Sequence, residues 1–351
     1  GSFWKAVGII SGMIIGSGMF VIPYAVYTSG LWWSLGSAVL AVCAVLAIHL
    51  AYGEIVANAP ATHRLPGYVR IYLGSVPSHI ESIAQVFAFN LTLLIYGILG
   101  GNFLSLLLSG WLLHPSGPAE LASIQQMLSV GVMVICAFAF MSRSVRAVSI
   151  ANFLLVLPLV LSIVGLSFFA LAQPGGFAVP HIGSEPLFAF SIFLFSLGGL
   201  SVVADAFPLF SQETGNRTKL FRSSIVAGTL LPFCLYILFT AAMLWAFGSS
   251  ISGNFLEGVG TLLGNSAMRF GALIGFLAIV TSYIPLGYDL KKLYELDTGA
   301  PRSIAWLGAA GVPLALFLFG VDNFVTLMSL VGGVFVVVDG VFVILILRKM
   351  R

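Results

Sequence analysis

Long apolar segments alternate with short polar connections along the whole chain. A helix that crosses a membrane needs about 20 mainly apolar residues. The pattern therefore predicts an all-α polytopic membrane protein, with residues 254–265 as a short interfacial helix. The ten predicted membrane-spanning helices cover residues 3–28, 31–57, 79–112, 121–141, 147–172, 186–212, 221–247, 266–294, 302–320 and 323–348.

Two of these spans carry small residues where a membrane helix should be continuous. Residues 12–23 read GMIIGSGMFVIP, and residues 196–201 read SLGGLS. Glycine destabilises a helix, and backbone groups freed in lipid are costly. Gly8, Gly12 and Gly16 recur every four residues, which is typical of close helix packing, but Ser17 and Gly18 lie off that stripe. We therefore expect the first and sixth helices to be unwound in the middle of the membrane.

The two interruptions occupy corresponding positions in two halves of five spans each, residues 3–172 and 186–348. Because five is odd, the second half would enter the membrane in the opposite sense to the first. Paired interruptions in inverted repeats indicate a secondary transporter whose site lies near the midplane. The sequence thus predicts two inverted five-helix repeats within one membrane domain.

Composition and charge agree with this prediction. Only 8% of the 351 residues are charged, and the mean hydropathy is +1.08, whereas soluble domains carry about 25% charged residues. A cytoplasmic N-terminus puts every basic residue except Arg269 on the cytoplasmic side, so the positive-inside rule predicts that both termini are cytoplasmic. Each loop holds two or three basic residues, too few for a lipid or nucleic-acid site. Short loops and tails favour the plasma membrane of a prokaryote.

The unwound backbone itself predicts a ligand. Free N–H groups of Ser17, Gly18 and Met19, at the start of an outer half-helix, suit a carboxylate. Unpaired carbonyls at half-helix ends suit an ammonium group or a bare cation. A zwitterionic amino acid matches both.

Other function classes find less support. The sequence has no nucleophile elbow, no HExxH and no phosphate loop ending in GK[ST], so we do not expect an enzyme or a cofactor. A channel would show a repeated filter sequence or a ring of like charges, and neither is visible in this sequence. Neither nucleic acid nor an obligate protein partner is predicted.

Several segments resemble the amino acid–polyamine–organocation superfamily. GMIIGSGMFVIPYAVYTSG (12–30) is similar to its first helix, AYGEIVANAP (51–60) to the end of its second, and LPGYVRIYLG (65–74) to the following loop. ADAFPLFSQETGN (204–216) is similar to the exit of its sixth helix, and TSYIPLGYDLKKLY (281–294) resembles the eighth helix of bacterial tyrosine/tryptophan permeases. The resemblance implies the inverted-repeat fold first described for a bacterial leucine transporter, with helices 1, 3, 6 and 8 around the substrate.

Carried over by position, the implied substrate site includes Tyr96 of helix 3, with Asn90 as a weaker candidate. Tyr96 is equally explained as a packing residue. A side chain introduced by Gly18→Val would be expected to fill the space that the substrate carboxylate needs. The remaining implied substrate residues are Gly16, Ser17, Gly18, Met19, Ser196, Leu197, Gly198 and Gly199.

Sodium-coupled relatives bind the ion between helices 1 and 8, and the implied oxygen ligands here are Gly12, Ile15, Ala278, Thr281 and Ser282. The alternative is that Thr281 and Ser282 bond carbonyls of their own helix. Met19 stands where relatives with a second sodium site have an amide, so at most one sodium ion is expected.

Proton coupling is the second hypothesis, although the predicted fifth helix lacks the lysine that some relatives use. Ionisable groups within a span are functional candidates. Here they are His49, Glu54, Asp205, Asp289 and Asp339. Glu54, Asp205 and Asp289 lie near the predicted cytoplasmic ends of their helices, where salt bridges that gate the transporter are the simpler interpretation. For His49, packing inside the bundle is the simpler interpretation. The sequence predicts a transporter that carries neutral amino acids, in particular aromatic ones, by alternating access. A sodium-coupled symporter is the first hypothesis, and a proton-coupled symporter or an amino acid exchanger is the alternative.

Overall fold

The computed structural model describes residues 2–59, 63–109, 112–113, 117–142, 145–211, 216–251, 264–297 and 299–351. The predicted interfacial helix at 254–265 lies almost entirely outside this part of the chain. The α-helices are α1 Ser2–Ile14, α2 Ile22–Ser29, α3 Leu31–Asn58, α4 Leu65–Leu73, α5 Ser75–Leu108, α6 Pro118–Ser142, α7 Val145–Leu171, α8 Phe188–Leu197, α9 Leu200–Ala206, α10 Arg217–Phe247, α11 Asn265–Asp297, α12 Arg302–Leu318, α13 Phe324–Leu330 and α14 Val336–Met350.

Apolar helical segments dominate the described chain, which confirms an all-α polytopic membrane protein. Within the described residues, seven helical segments are long and apolar enough to cross a membrane. Shorter apolar helices occupy Ser2–Ile14, Val156–Leu171 and Arg302–Leu318. Each predicted span overlaps one of these segments, while the exact number of crossings stays a prediction.

Both predicted interruptions are confirmed. Helix α1 ends at Ile14, a short 3-10 turn covers Ser17–Phe20, and α2 begins at Ile22. Gly16 between them is extended, with φ −135° and ψ −152°. In the sixth span α8 ends at Leu197 and α9 begins at Leu200. The sequence signal is glycine in both places, because glycine is the weakest ordinary helix former.

The broken helices lie inside the bundle. Helix α1 packs on α7 and α10, and the long helices α5 and α11 pack against each other beside it. Helix α8 contacts the 3-10 turn of the first break, and α9 contacts α1. Unwound backbone at this depth needs protein or a cavity around it, because lipid offers no hydrogen bonds.

Large apolar side chains cover the outside of the bundle. Trp32, Val39, Phe87, Phe138 and Phe168 each expose more than half of their surface. Soluble proteins rarely expose such continuous apolar surface, whereas a protein in lipid requires it.

Candidate substrate and ion sites

The two helix breaks touch each other directly, and small residues make the contact possible. A side chain on Gly18 would place its Cβ 2.8 Å from Ser196 Cα. A side chain on Gly199 would place its Cβ 2.7 Å from Ile14 Cγ1. The space beside Gly18 is therefore taken by Ser196. A steric collision between the breaks is therefore a further reason to expect damage from Gly18→Val, beside the predicted loss of substrate space.

Even the smallest side chain at Gly18 should disturb this contact. We expect Gly18→Ala to lower the free energy of unfolding by about 1–3 kcal/mol, the usual cost of overpacking. Thermal unfolding of the purified protein measures the effect, and adding Ser196→Gly should restore part of it. Gly36 has no atom within 4 Å of its would-be Cβ, so Gly36→Ala is the control that should not destabilise. Equal stability of the Gly18 and Gly36 variants would contradict the contact.

A cavity of about 110 Å³ lies beside the breaks. A cavity of about 150 Å³ holds benzene in another protein, so a ring-bearing ligand would have to widen this one slightly. Three predicted substrate residues, Tyr96, Gly198 and Gly199, line it. Other aromatic residues in its wall are Phe89, Phe195 and Phe335, and the other polar ones are His49, Gln85, Thr92, Ser201 and Asp339.

The remaining predicted substrate residues are buried around the breaks and are not part of the cavity wall. The hydroxyl of Ser17 is buried and has no hydrogen-bond partner. Ser196 donates its hydroxyl to the carbonyl of Ile192, 2.7 Å away. Met19 and Leu197 are fully buried apolar residues. The unpaired Ser17 hydroxyl is thus the polar side chain that the first break leaves without a partner.

Gly16 connects the first break to helices α5 and α11. Its would-be Cβ would lie 3.3 Å from the Tyr96 hydroxyl and 3.5 Å from Ser282 Oγ. The break, the proposed capping tyrosine and one predicted sodium ligand thus meet at a single point.

Tyr236 of α10 bridges the two breaks. Its hydroxyl donates its one hydrogen to the carbonyl of Ile14 at 2.5 Å, and shares it with the carbonyl of Ser196 at 3.2 Å as the weaker acceptor. These carbonyls lie at the ends of α1 and α8, where the helix offers them no partner. Tyr236 therefore satisfies backbone groups that the interruptions free.

The predicted sodium ligands lie on neighbouring segments. Helix α1 contacts α11, and Ser282 Oγ is buried with the hydroxyl of Tyr96 as its polar neighbour. Thr281 donates to the carbonyls of Leu277 and Ala278, at 2.9 and 3.0 Å. This is the intrahelical bonding considered as the alternative, yet a hydroxyl that donates keeps its lone pairs for a cation. The predicted ligand set stays a prediction.

Arg64, just before α4, forms an ion cluster at the predicted cytoplasmic end. Its guanidinium lies 2.6 Å from Asp289 of α11 and 3.2 Å from Asp205 of α9, and it also donates to the carbonyl of Ser201 at 3.1 Å. Burial lowers the pKa of Arg64, but Asp289 and then Asp205 outweigh burial and raise it above its ordinary value. The cluster ties a loop to two helices of the cavity wall.

Three other candidates have different surroundings. His49 Nδ1 lies 3.0 Å from the hydroxyl of Thr229, as in a satisfied packing histidine, although its ring also lines the cavity. Glu54 is exposed and lies 4.0 Å from Arg351, away from the Arg64 cluster. Asn90 donates to the carbonyl of Val86 and to Tyr294, and it does not line the cavity.

Comparison with known proteins identifies the family. The model of the tryptophan/tyrosine permease family matches residues 1–351. The chain belongs to this family. Membership confirms the resemblance to bacterial tyrosine/tryptophan permeases and makes the protein a transporter, not an enzyme. No curated protein sequence matches the chain significantly.

Two solved structures share the fold of this permease. The crystal structure of MhsT in complex with L-phenylalanine has a TM-score of 0.66 and 15% identity over 97% of this chain and 87% of that chain. Mhp1, a nucleobase-cation-symport-1 family transporter in a closed conformation with bromovinylhydantoin bound, has a TM-score of 0.62 and 13% identity over 95% and 77%. At these identities the similarity concerns the fold alone.

Sequence reasoning missed several residues of the permease that shape the site. Tyr236 lies in an apolar span without a motif, and Arg64 was assigned only to the orientation signal. The segment Val331–Phe335, between α13 and α14, forms a π-helical turn that contributes Val331 and Phe335 to the cavity wall. Such turns are frequent at functional sites, and the pair Gly332-Gly333 was the available signal.

Proposed function

We propose that this permease carries a neutral amino acid, in particular an aromatic one, by alternating access. The observation that carries the proposal is the cavity where the two breaks meet, with aromatic walls and an unpaired Ser17 hydroxyl nearby. The backbone of Ser17, Gly18 and Met19 would receive the substrate carboxylate once the first break moves, since these residues do not line the cavity in this structure. Tyr96, which does line it, would close over the substrate. An aromatic side chain would pack on Phe89, Phe195 and Phe335.

The two predicted halves, residues 3–172 and 186–348, would move against each other as inverted repeats. The ion cluster of Arg64 with Asp205 and Asp289 lies next to the cavity and would close one end of it. Phe20 and Phe103 pack edge to face, with ring centroids 4.8 Å apart, on the other side of the first break. Opening either closure alone would expose the cavity to one side of the membrane.

Sodium is the coupling ion we favour, bound by the backbone of Gly12 and Ile15 with Ala278, Thr281 and Ser282. The buried Ser282 hydroxyl, which lies beside Gly16 of the first break, supports this assignment. Proton coupling or exchange is the alternative, favoured by the ionisable residues His49 and Asp339 in the cavity wall.

Uptake of labelled amino acids into proteoliposomes tests the proposal. A sodium gradient and a pH gradient are imposed separately, and unlabelled tryptophan, tyrosine, phenylalanine and alanine compete. We expect sodium-dependent accumulation that aromatic amino acids inhibit best. Accumulation driven only by the pH gradient would refute sodium coupling, and the absence of accumulation and of exchange would refute amino acid transport.

The sodium site makes a separate prediction. We expect Thr281→Ala to abolish stimulation of uptake by sodium while the protein still folds, because the variant loses a hydroxyl ligand. The control is Thr240→Ala, since Thr240 is also buried but belongs to α10. Sodium-stimulated uptake at the wild-type level in the Thr281 variant would contradict the proposed site.

A further inference from the structure

Two acidic side chains meet beside the cavity without a basic partner. Glu81 of α5 is completely buried, and its carboxyl interacts with that of Asp339 of α14, a helix that packs against α5. Both oxygens of Glu81 and Oδ1 of Asp339 are buried, and no described residue donates a well-formed hydrogen bond to them. The polar groups that interact with the Glu81 carboxyl are the Asp339 carboxyl and Gln85, one turn further along α5.

The helices that pack around this carboxyl pair offer no compensating charge. Helix α3 contributes Tyr52, whose hydroxyl is buried and unpartnered, and His49, which bonds Thr229. Helix α4 contributes the buried Tyr68. Among the described residues no ion pair reaches either carboxyl group. Arg64, just before α4, is bound to Asp205 and Asp289. The other charged or titratable groups on α3, α4, α5 and α14 are Cys43, Glu54, Arg70, Tyr72, His79, Tyr96, Arg348 and Lys349.

Electrostatics decides how two such groups coexist. An ionised carboxylate only accepts hydrogen bonds, so two ionised groups in contact leave both without donors. Their like charges repel strongly when they are taken out of water. A single proton removes the repulsion and makes one group the donor of a short, charge-assisted hydrogen bond to the other. We propose that Glu81 and Asp339 form a proton-binding site that holds one shared proton.

The site has a route for exchange. Asp339 lines the cavity beside the helix breaks. Gln85 lines both that cavity and a smaller space next to Arg64. Protons can therefore reach the pair through the cavity, and the Arg64 cluster controls access from the predicted cytoplasmic side. We infer that the pair exchanges its proton during the transport cycle and makes uptake depend on pH. This second step rests on the proposed function, whereas proton binding does not.

Infrared spectroscopy of the purified permease tests proton binding without transport. A protonated carboxyl group has a C=O stretching band that an ionised group lacks. We expect a band near neutral pH that disappears in the double variant Glu81→Gln/Asp339→Asn. Asp322→Asn is the control, because Asp322 is exposed in the connection between α12 and α13, and it should keep the band. An identical band in wild type and double variant would overturn the site.

Uptake at equal internal and external pH, under a constant sodium gradient, tests the link to transport. Linkage to one proton changes uptake by at most about tenfold per pH unit. In wild type and in Asp322→Asn we expect uptake to change by nearly tenfold per pH unit between about pH 6 and 8. In Asp339→Asn we expect uptake to change by less than about twofold over the same range. Equal pH profiles in wild type and Asp339→Asn, or a flat wild-type profile, would overturn the link. If wild type transports no amino acid, the proposed function fails, and the infrared band still decides the proton site.

Discussion

Replacing Arg64 with alanine is expected to open the predicted cytoplasmic end of the permease and to reduce uptake at least tenfold. Arg64 is the basic partner of both Asp289 and Asp205, whose side chains are 9% and 31% exposed. Removing one partner of a buried ion pair leaves an uncompensated charge and costs about 3–5 kcal/mol. In the equilibrium between closed and open ends, this is a factor of about 100 to 5,000.

Thiol labelling measures the opening. Ser201→Cys, introduced together with serine replacements of the three native cysteines, would place a reactive group in the cavity wall beside Arg64. A membrane-impermeant thiol reagent should label the introduced cysteine much faster when Arg64 is replaced by alanine than when Arg64 is present. Adding Asp289→Asn should slow labelling again, because it removes the buried charge. Equal labelling with and without Arg64 would show that the cluster does not hold this end closed.

The control for this experiment is Arg351→Ala, which removes an arginine from a different ion pair. Arg351 is exposed and lies 4.0 Å from Glu54. Exposed pairs contribute about 0–1 kcal/mol. Arg351→Ala should therefore leave both labelling and uptake close to those of the wild type.

Removing the hydroxyl of Tyr236 is expected to have the second largest effect. Tyr236→Phe would leave the carbonyls of Ile14 and Ser196 without the donor that serves both. A buried polar group that loses its partner costs about 1–3 kcal/mol, so two carbonyls together cost about 2–4 kcal/mol after some local adjustment. We expect a lower temperature of thermal unfolding and weaker substrate binding, because the two breaks lose their common support.

Tyr283→Phe is the matched control. Tyr283 is also fully buried in a membrane helix, but its hydroxyl has no hydrogen-bond partner. The same change of one atom should therefore cost little stability. If both variants unfold at the same temperature, the bridge from Tyr236 to the helix breaks contributes nothing.

The membrane spans and the helix breaks could be predicted because their signals are local. Apolar runs of sufficient length can satisfy their backbone in lipid only as helices. Glycine weakens a helix regardless of its tertiary surroundings. Gly16 and Gly198 therefore mark the two breaks in the sequence as clearly as they do in the structure.

The partners of polar side chains could not be predicted because they come from distant parts of the chain. Tyr236 meets Ile14 across 222 positions, and Arg64 meets Asp289 across 225. No periodicity relates such residues. The sequence indicated that Asp205 and Asp289 would form salt bridges, but only the packing of α4 against the bundle identified Arg64 as their partner.

The sequence alone determined the class of this protein, the approximate position of its membrane helices and the place where two of them break, because hydropathy and helix propensity act over neighbouring residues. Only the tertiary structure decided what those breaks contact. It placed Ser196 against Gly18, Tyr236 across both breaks and Glu81 against Asp339. These contacts depend on how helices far apart in sequence pack, because hydrogen bonds and direct ion pairs form only at the short distances that this packing creates.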